Sequence, residues 1–229
     1  EGVTGYSFYR IREGERPDTI AAQLYGDSTL YWLFFLVNED LQDLSDWPKS
    51  NELFHKYIAR KYSGTCLVAS ASTDIVSYNH STNTSSKFTL GEKVSQSEDV
   101  YGFVTNINPT HNRITLNDVK GTFTVNSTAT GADSEKSFTI SSVVDEKDAT
   151  HHYTDANGFK TTVESYTSDS SNTTDADSQK TYNFSSSGNS AVSNETYELS
   201  LNEDKSTIRY IQPRYVERII REFQDLVRD

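Results

Sequence analysis

The stretch LYWLFFLVN opens with eight consecutive apolar side chains, residues 30–37. It sits in a chain of formal net charge −12 and mean hydropathy −0.66. As a helix, eight residues cover about 12 Å against a hydrocarbon core of about 30 Å, so the run is too short to span a membrane. It must therefore be buried in protein. On helical spacing Leu30, Leu33, Phe34 and Val37 share one face, expected to pack on Ile20 and Leu24 of a preceding helix. Tyr31, Trp32, Phe35 and Leu36 spread over the remainder. A third helix presenting Leu53, Phe54, Tyr57 and Ile58 is the expected cover from within the chain. Whatever it leaves bare is a surface for a partner, because a helix apolar all round is buried all round and a region of about 60 residues buries only a modest core.

Local signals frame the run. Residues 6–11, YSFYRI, read as a strand, and Glu13-Gly14-Glu15 as a turn. Pro17 fixes φ in the first turn of a helix whose apolar stripe is Ile20, Ala21 and Leu24. Gly26 supplies a left-handed stop, and Asp27 or Ser28 caps the next helix. Asp46-Trp47-Pro48 turns the chain into a third helix over 51–62.

Three zones follow: 1–62, 63–207 and 208–229. The middle zone carries 9 basic and 19 acidic residues, so it holds most of the net charge. It is rich in Ser and Thr, with short alternating runs between turn signals, a β pattern with solvated faces. Gly91, Gly102 and Gly121 are expected at strand boundaries and residues 109–112 at a hairpin turn. Ile114, Leu116 and Val119 supply inward side chains. Asn157-Gly158 predicts a hairpin between HHYT and FKTTVESYT. The polar stretch 168–190 predicts a long loop. Whether the zone is one β domain or two stays open. In the last zone the strand TIRYI leads to Pro213, and Val216, Ile219, Ile220, Phe223, Leu226 and Val227 recur at helical spacing. The fold class is α+β, a mostly-β insertion between two helical ends, with a C-terminal amphipathic helix suited to docking.

Several function classes are set aside. Nucleic-acid binding needs clustered Lys and Arg, which an acidic chain lacks. A single cysteine, Cys66, excludes an internal disulfide framework and a cysteine-rich metal site, and it reads as a small buried hydrophobe. Triplets such as Asn126-Ser127-Thr128 are expected by chance in this composition. The absence of methionine leads us to expect that the start of the gene product is missing or processed, and no signal peptide is visible. His151 and His152, near Asp148 and Asp155, suggest a metal site at first sight. Adjacent strand residues point to opposite faces, so a polar hairpin surface is the expectation. No hydrolase, zinc-protease or phosphate-loop motif is present. No catalytic residue, metal or cofactor is nominated.

The order strand, Gly14 turn, TIAAQLYGD, second helix and Asn38 resembles a LysM module. That is a strand–helix–helix–strand unit with "IA…YG" in its first helix and an Asn closing its second. The longer string RPDTIAAQLYGDSTLYWLFFLVNED, followed by DWP, and the ending STIRYIQPRYVERIIREFQDLV resemble the LysM-like baseplate wedge subunit of T-even-like contractile-tailed phages. Residues 88–125 resemble a small SH3-like barrel common in phage structural proteins. The resemblance implies a structural subunit of the virion's tail baseplate, assembled in the host cytoplasm. It would clamp wedge components and link neighbouring wedges, with no enzymatic activity and no nucleic-acid or membrane partner. Tyr31, Trp32, Phe35, Leu36, Trp47, Tyr215, Ile219 and Phe223 are the candidate partner-interface residues. Glycan-binding LysM modules use a groove whose equivalents here are Glu13, Gly14, Glu15, Arg16, Asn38, Glu39 and Asp40. That groove is expected to be charged and without a stacking aromatic, which makes glycan binding the weaker expectation. The alternative function is a cell-wall (peptidoglycan)-binding module of a tail-associated protein, tested by binding to insoluble peptidoglycan.

Overall fold

In the computed structural model residues 5–70, 75–79, 83–108, 110–161, 164–168, 180–184 and 188–228 are described. In chain order the elements are β1 (Tyr6–Arg10), α1 (Pro17–Tyr25), a 3-10 turn (Ser28–Tyr31), α2 (Trp32–Val37), α3 (Asn51–Lys61), β2 (Thr65–Ala69), β3 (Val76–Asn79), β4 (Asn83–Ser86), β5 (Lys93–Ser95), β6 (Tyr101–Asn108), β7 (Arg113–Lys120), β8 (Thr128–Gly131), β9 (Ser137–Asp145), β10 (Thr150–Thr154), β11 (Lys160–Thr161), β12 (Glu164–Ser168), β13 (Lys180–Phe184), β14 (Ser190–Ser193), α4 (Asn194–Asp204), β15 (Thr207–Ile211) and α5 (Pro213–Arg228). They form two units. The first joins Glu1–Tyr57 to Glu198–Asp229, and the second is Ile58–Tyr197.

The first unit is built from the two ends of the chain. β1 pairs antiparallel with β15, from Tyr6↔Ile211 to Arg10↔Thr207. α1 starts with Pro17 in its first turn and stops at Gly26, whose φ of 77° is the left-handed value glycine accepts at little cost. The Asp27 carboxylate then accepts the Thr29 N–H at 2.8 Å and caps the 3-10 turn that leads into α2.

The apolar run divides its side chains between two clusters. Phe34 joins Ile11, Ile20, Ala21, Leu41, Trp47 and Ile208, with Tyr25 stacked on it at 5.8 Å. Leu33 joins Ile211 and Val216, with Leu30, Val37, Ile219 and Ile220 packed alongside. The expectation that Leu30, Leu33, Phe34 and Val37 all pack on Ile20 and Leu24 is therefore corrected: only Phe34 joins their cluster, while the other three lie in the second, with Tyr25 of α1 alongside. Successive helical residues point about 100° apart, so an all-apolar helix serves two layers at once. The expected cover by α3 is also corrected. Leu53 is 57% exposed, and neither it nor Phe54 belongs to those clusters. Trp47, Leu41, β15 and α5 close the helix instead. Polar pins hold these distant pieces together. Lys205 bridges Asp46 at 3.0 Å and holds that carboxyl below the usual carboxylate range. Asn202 exchanges two bonds with the Lys49 backbone.

In the second unit six strands close a barrel in the order β2-β7-β6-β5-β8-β9, every neighbouring pair antiparallel. Leu67, Val94, Val104, Ile114, Leu116, Phe138 and Ile140 are among the residues that fill it. The expected barrel of 88–125 is corrected in extent, since that segment supplies only β5, β6 and β7. Three strands leave two open edges, and closure needs β2 seated between β7 and β9 together with the β8–β9 pair. Gly102 is the second residue of β6, at its start as expected, and a Cβ there would stand 3.1 Å from the Leu116 Cβ.

Outside the barrel, Gly158 (φ 83°) turns the β10–β11 hairpin as expected. The Asp155 carboxylate accepts the N–H groups of Asn157 and Phe159 there. Two expectations fail. Lys180–Phe184, inside the expected loop 168–190, is a strand paired with β12. KTYNF has two aromatic β-formers, Tyr182 and Phe184, and the Ser-rich stretches on either side of it have none. Of the remainder of that loop, 169–179 and 185–187 lie outside the described residues. The zone read as β also contains α4, whose first turn is capped by Ser193 accepting the Thr196 N–H. NETYELSLNED has no apolar stripe, so periodicity could not reveal it.

Candidate functional site

The interface candidates distribute unevenly around α2 and α5. Trp47 is 8% exposed, and its indole N–H donates to the Glu15 carbonyl at 2.8 Å. It is thus a core residue of its own unit, which corrects its assignment to a partner surface. Tyr31, Trp32, Phe35, Tyr215 and Ile219 are half-buried. The Tyr31 and Phe35 rings meet edge-on at 6.3 Å. Trp32 lies 5.0 Å from Phe223, which joins α2 to the far end of α5. Leu36 is 57% and Phe223 46% exposed. α5 leaves the core after Ile220, its polar face tied by Arg218–Glu222 and Arg221–Glu217 pairs. The side chains of Leu226 and Val227 lie outside the described residues. Tyr25 sits beneath this region, its hydroxyl pushed up to about 12 by burial.

Asn38 closes α2 by donating to the Phe34 carbonyl at 2.7 Å. The same carboxamide donates to the Arg209 carbonyl at 2.9 Å and accepts the Arg209 N–H at 2.8 Å. Asn38 therefore caps the outer edge of β15 and is not available to a groove ligand.

The strand–helix loop Gly14, Glu15, Arg16 does line a cleft of about 520 Å³, but its other wall differs from expectation. Tyr31, Leu44, Trp47, Pro48 and Leu53 form it, while Asn38, Glu39 and Asp40 do not. The cleft thus contains the aromatics the sequence reading denied it, because the chain after α2 doubles back through Trp47. Its carboxylates are engaged. Glu15 accepts the Arg12 N–H at 2.8 Å and the Tyr9 hydroxyl at 3.0 Å. Glu13, which does not line this cleft, accepts the Asn51 N–H at 2.6 Å. Arg16 pairs with Asp18 at 3.1 Å.

In the second unit His151 and His152 do not point apart. Their Nδ1 atoms are 2.9 Å from each other, and Tyr197 stacks on His151 at 3.8 Å. The cause is a bulge: the β10–β14 register shifts between Thr150 and His152, leaving His151 as the extra residue. Among the described residues no three His, Cys, Asp or Glu side chains converge as a metal site. Cys66 is fully buried, and burial pushes its thiol pKa up.

A polar cavity of about 440 Å³ went unseen in the sequence. Arg113 on its wall is 7% exposed. Its Nη1 donates to the Thr150 carbonyl at 2.7 Å, while its Nε finds no acceptor among the described residues. Burial, followed by the charge of Arg113, pushes neighbouring His111 down to about 4.

Leu36 and Phe223 expose large apolar side chains beside half-buried Trp32, the kind of surface that assemblies cover. Comparison with known proteins gives that surface a setting. Residues 3–103, a little under half of the chain, match the family described as Base plate wedge protein 53. The likeness points to a structural role in a base plate. It runs from the first unit into the barrel as far as β6, and β15 and α5 lie outside it. No curated protein matches the chain.

Proposed function

We propose that the chain is a structural subunit of a contractile-tail baseplate wedge, clamping wedge components together and linking neighbouring wedges. The match over residues 3–103 carries the baseplate setting. The docking role is carried by Leu36 and Phe223, large apolar side chains left exposed on α2 and α5 beside half-buried Trp32. The order β1–α1–α2–β15 supports a LysM-like module used for protein docking. The cleft beside Gly14 has its carboxylates tied to the turn, which favours a scaffold over a saccharide site. The second unit interrupts the first in sequence, and its role in this reading is contact with neighbouring subunits. Among the described residues no helix is long and apolar enough to cross a membrane. Assembly would take place in the host cytoplasm, with other wedge proteins as partners.

The test is incorporation. Leu36→Asp and Phe223→Asp should leave the chain folded and lower its abundance in purified particles. Normal abundance of both variants would remove the α2–α5 surface from the assembly role.

A further inference from the structure

The backbone bonds of the β1–β15 pair fix which groups face outward. Ile11 N–H donates to the Ser206 carbonyl at 2.8 Å, and Gln212 N–H to the Gly5 carbonyl at 3.0 Å. Odd-numbered residues of β1 therefore exchange bonds with β15, and Phe8 and Arg10 turn their N–H and C=O groups the other way. β15 has an answer at its own outer edge, where Asn38 takes both backbone groups of Arg209. β1 has none: its sheet has two strands, and among the described residues nothing bonds the backbone of Phe8 or Arg10.

Natural edge strands are protected by lysines, prolines, bulges or a covering segment. β1 has no lysine or proline and pairs without a bulge. Two of its aromatics are exposed, Phe8 at 71% and Tyr6 at 51%. Arg10 is exposed two residues on, and Arg209 stands opposite Phe8 across the pair. Neither arginine makes an ion pair among the described residues, although the chain has a net charge of −12. Among the described residues the edge thus offers free backbone bonds, an aromatic and two cations without an ion-pair partner on one face.

We propose that the free edge of β1 takes an extended segment of another baseplate protein as a third strand. The segment carries an apolar side chain against Phe8 and a carboxylate two residues away against Arg10. The spacing follows from strand geometry, in which side chains on one face recur every second residue. Backbone bonds supply affinity and the alternating side chains supply selectivity, with an Arg–carboxylate bond fixing the register. This inference rests on the baseplate reading above.

Residue-resolved hydrogen exchange tests it on the full chain, free and in purified particles. In the free chain the Phe8 and Arg10 amides exchange rapidly while those of Tyr9 and Ile11 are protected. In the particle the Phe8 and Arg10 amides should slow by on the order of 100-fold, as expected of paired strand amides. Phe8→Pro removes the outward N–H at a position where its own sheet does not use it. It should keep the melting temperature of the chain and lower its occupancy in particles by about tenfold or more, with Arg10→Glu giving a smaller loss. Unchanged rapid exchange in the particle overturns the proposal, as does normal incorporation of a folded Phe8→Pro chain. If that variant does not fold, the exchange measurement on the unaltered chain decides. Concentration-dependent protection in the isolated chain, with a dimer in sedimentation, identifies a second copy as the occupant and overturns it too. Absence of the unaltered chain from particles sinks the baseplate reading itself, and this inference with it.

Discussion

The two units solve the problem of a small core in different ways. The first uses large aromatics, Phe34, Trp47 and Tyr25, gathered from a few short elements and closed by β15 from the other end of the chain. The second uses mostly aliphatic residues inside a barrel whose hydrogen bonds leave no strand edge. One core depends on contacts such as Asn38 with Arg209, 171 residues apart. The other is assembled within one continuous stretch of chain, and three of its six strand pairs join successive strands. Thus the first unit should be vulnerable to loss of its C-terminal segment and keeps exposed apolar surface to share, while the barrel stands on its own.

The sharpest break of that comparison is removal of residues 206–229. Ile208, Ile211 and Val216 leave both clusters, and the first unit should unfold while the barrel remains. Hydrogen exchange should show lost protection in α1 and α2 and retained protection in β6 and β7. Loss in both regions would mean that the units are not independently stable.

Single core truncations come next. Phe34→Ala should cost about 3–5 kcal/mol and Leu116→Ala about 2–5 kcal/mol, each confined to its own unit in denaturant unfolding followed by exchange. Leu36→Ala, at an exposed position, should be nearly neutral. An equal loss from Leu36→Ala would place that side chain in a core.

Acid should separate the units. His111 is held down at about 4 by burial, below the ordinary value of about 6.5. A depressed histidine pKa means that the unfolded chain binds the proton first. The stability it contributes is present above about 6.5 and is lost as pH falls toward about 4. The barrel should weaken by about 1–3 kcal/mol across that window, and His111→Gln should flatten the dependence. A melting profile of His111→Gln with unchanged acid sensitivity would assign the effect elsewhere.

The smallest effects belong to polar devices of the first unit. Asn38→Ala should cost about 1–2 kcal/mol through lost bonds to Phe34 and Arg209. Asp27→Ala should cost about 0.5–2 kcal/mol as a lost cap. Both are read as midpoint shifts in denaturant. A null result for Asn38→Ala would show that β15 is held by packing alone.

Local chemistry by itself determined much of this protein. Pro17 and Gly26 bound α1, Asp27 caps the turn before α2, Asn157-Gly158 turns a hairpin, and Pro213 starts α5, because each rests on backbone geometry that a few residues dictate. The likeness to a base plate wedge protein was likewise legible from the YG–LYW–N–DWP pattern, which lies in the stretch that the family comparison matches. Tertiary structure decided the rest. The sequence shows that 30–37 must be buried, but not that Leu33 and Phe34 serve different layers, since a uniformly apolar helix has no direction of its own. It names Trp47 as a large aromatic without saying that the chain folds back to make it core. It places His151 and His152 side by side, and only the strand register of β10 on β14 introduces the bulge that turns their rings together. Barrel closure by β2 and the bare edge of β1 belong to this second group. Both are consequences of which strand finds which partner, and pairing between distant segments is a property of the whole chain in space.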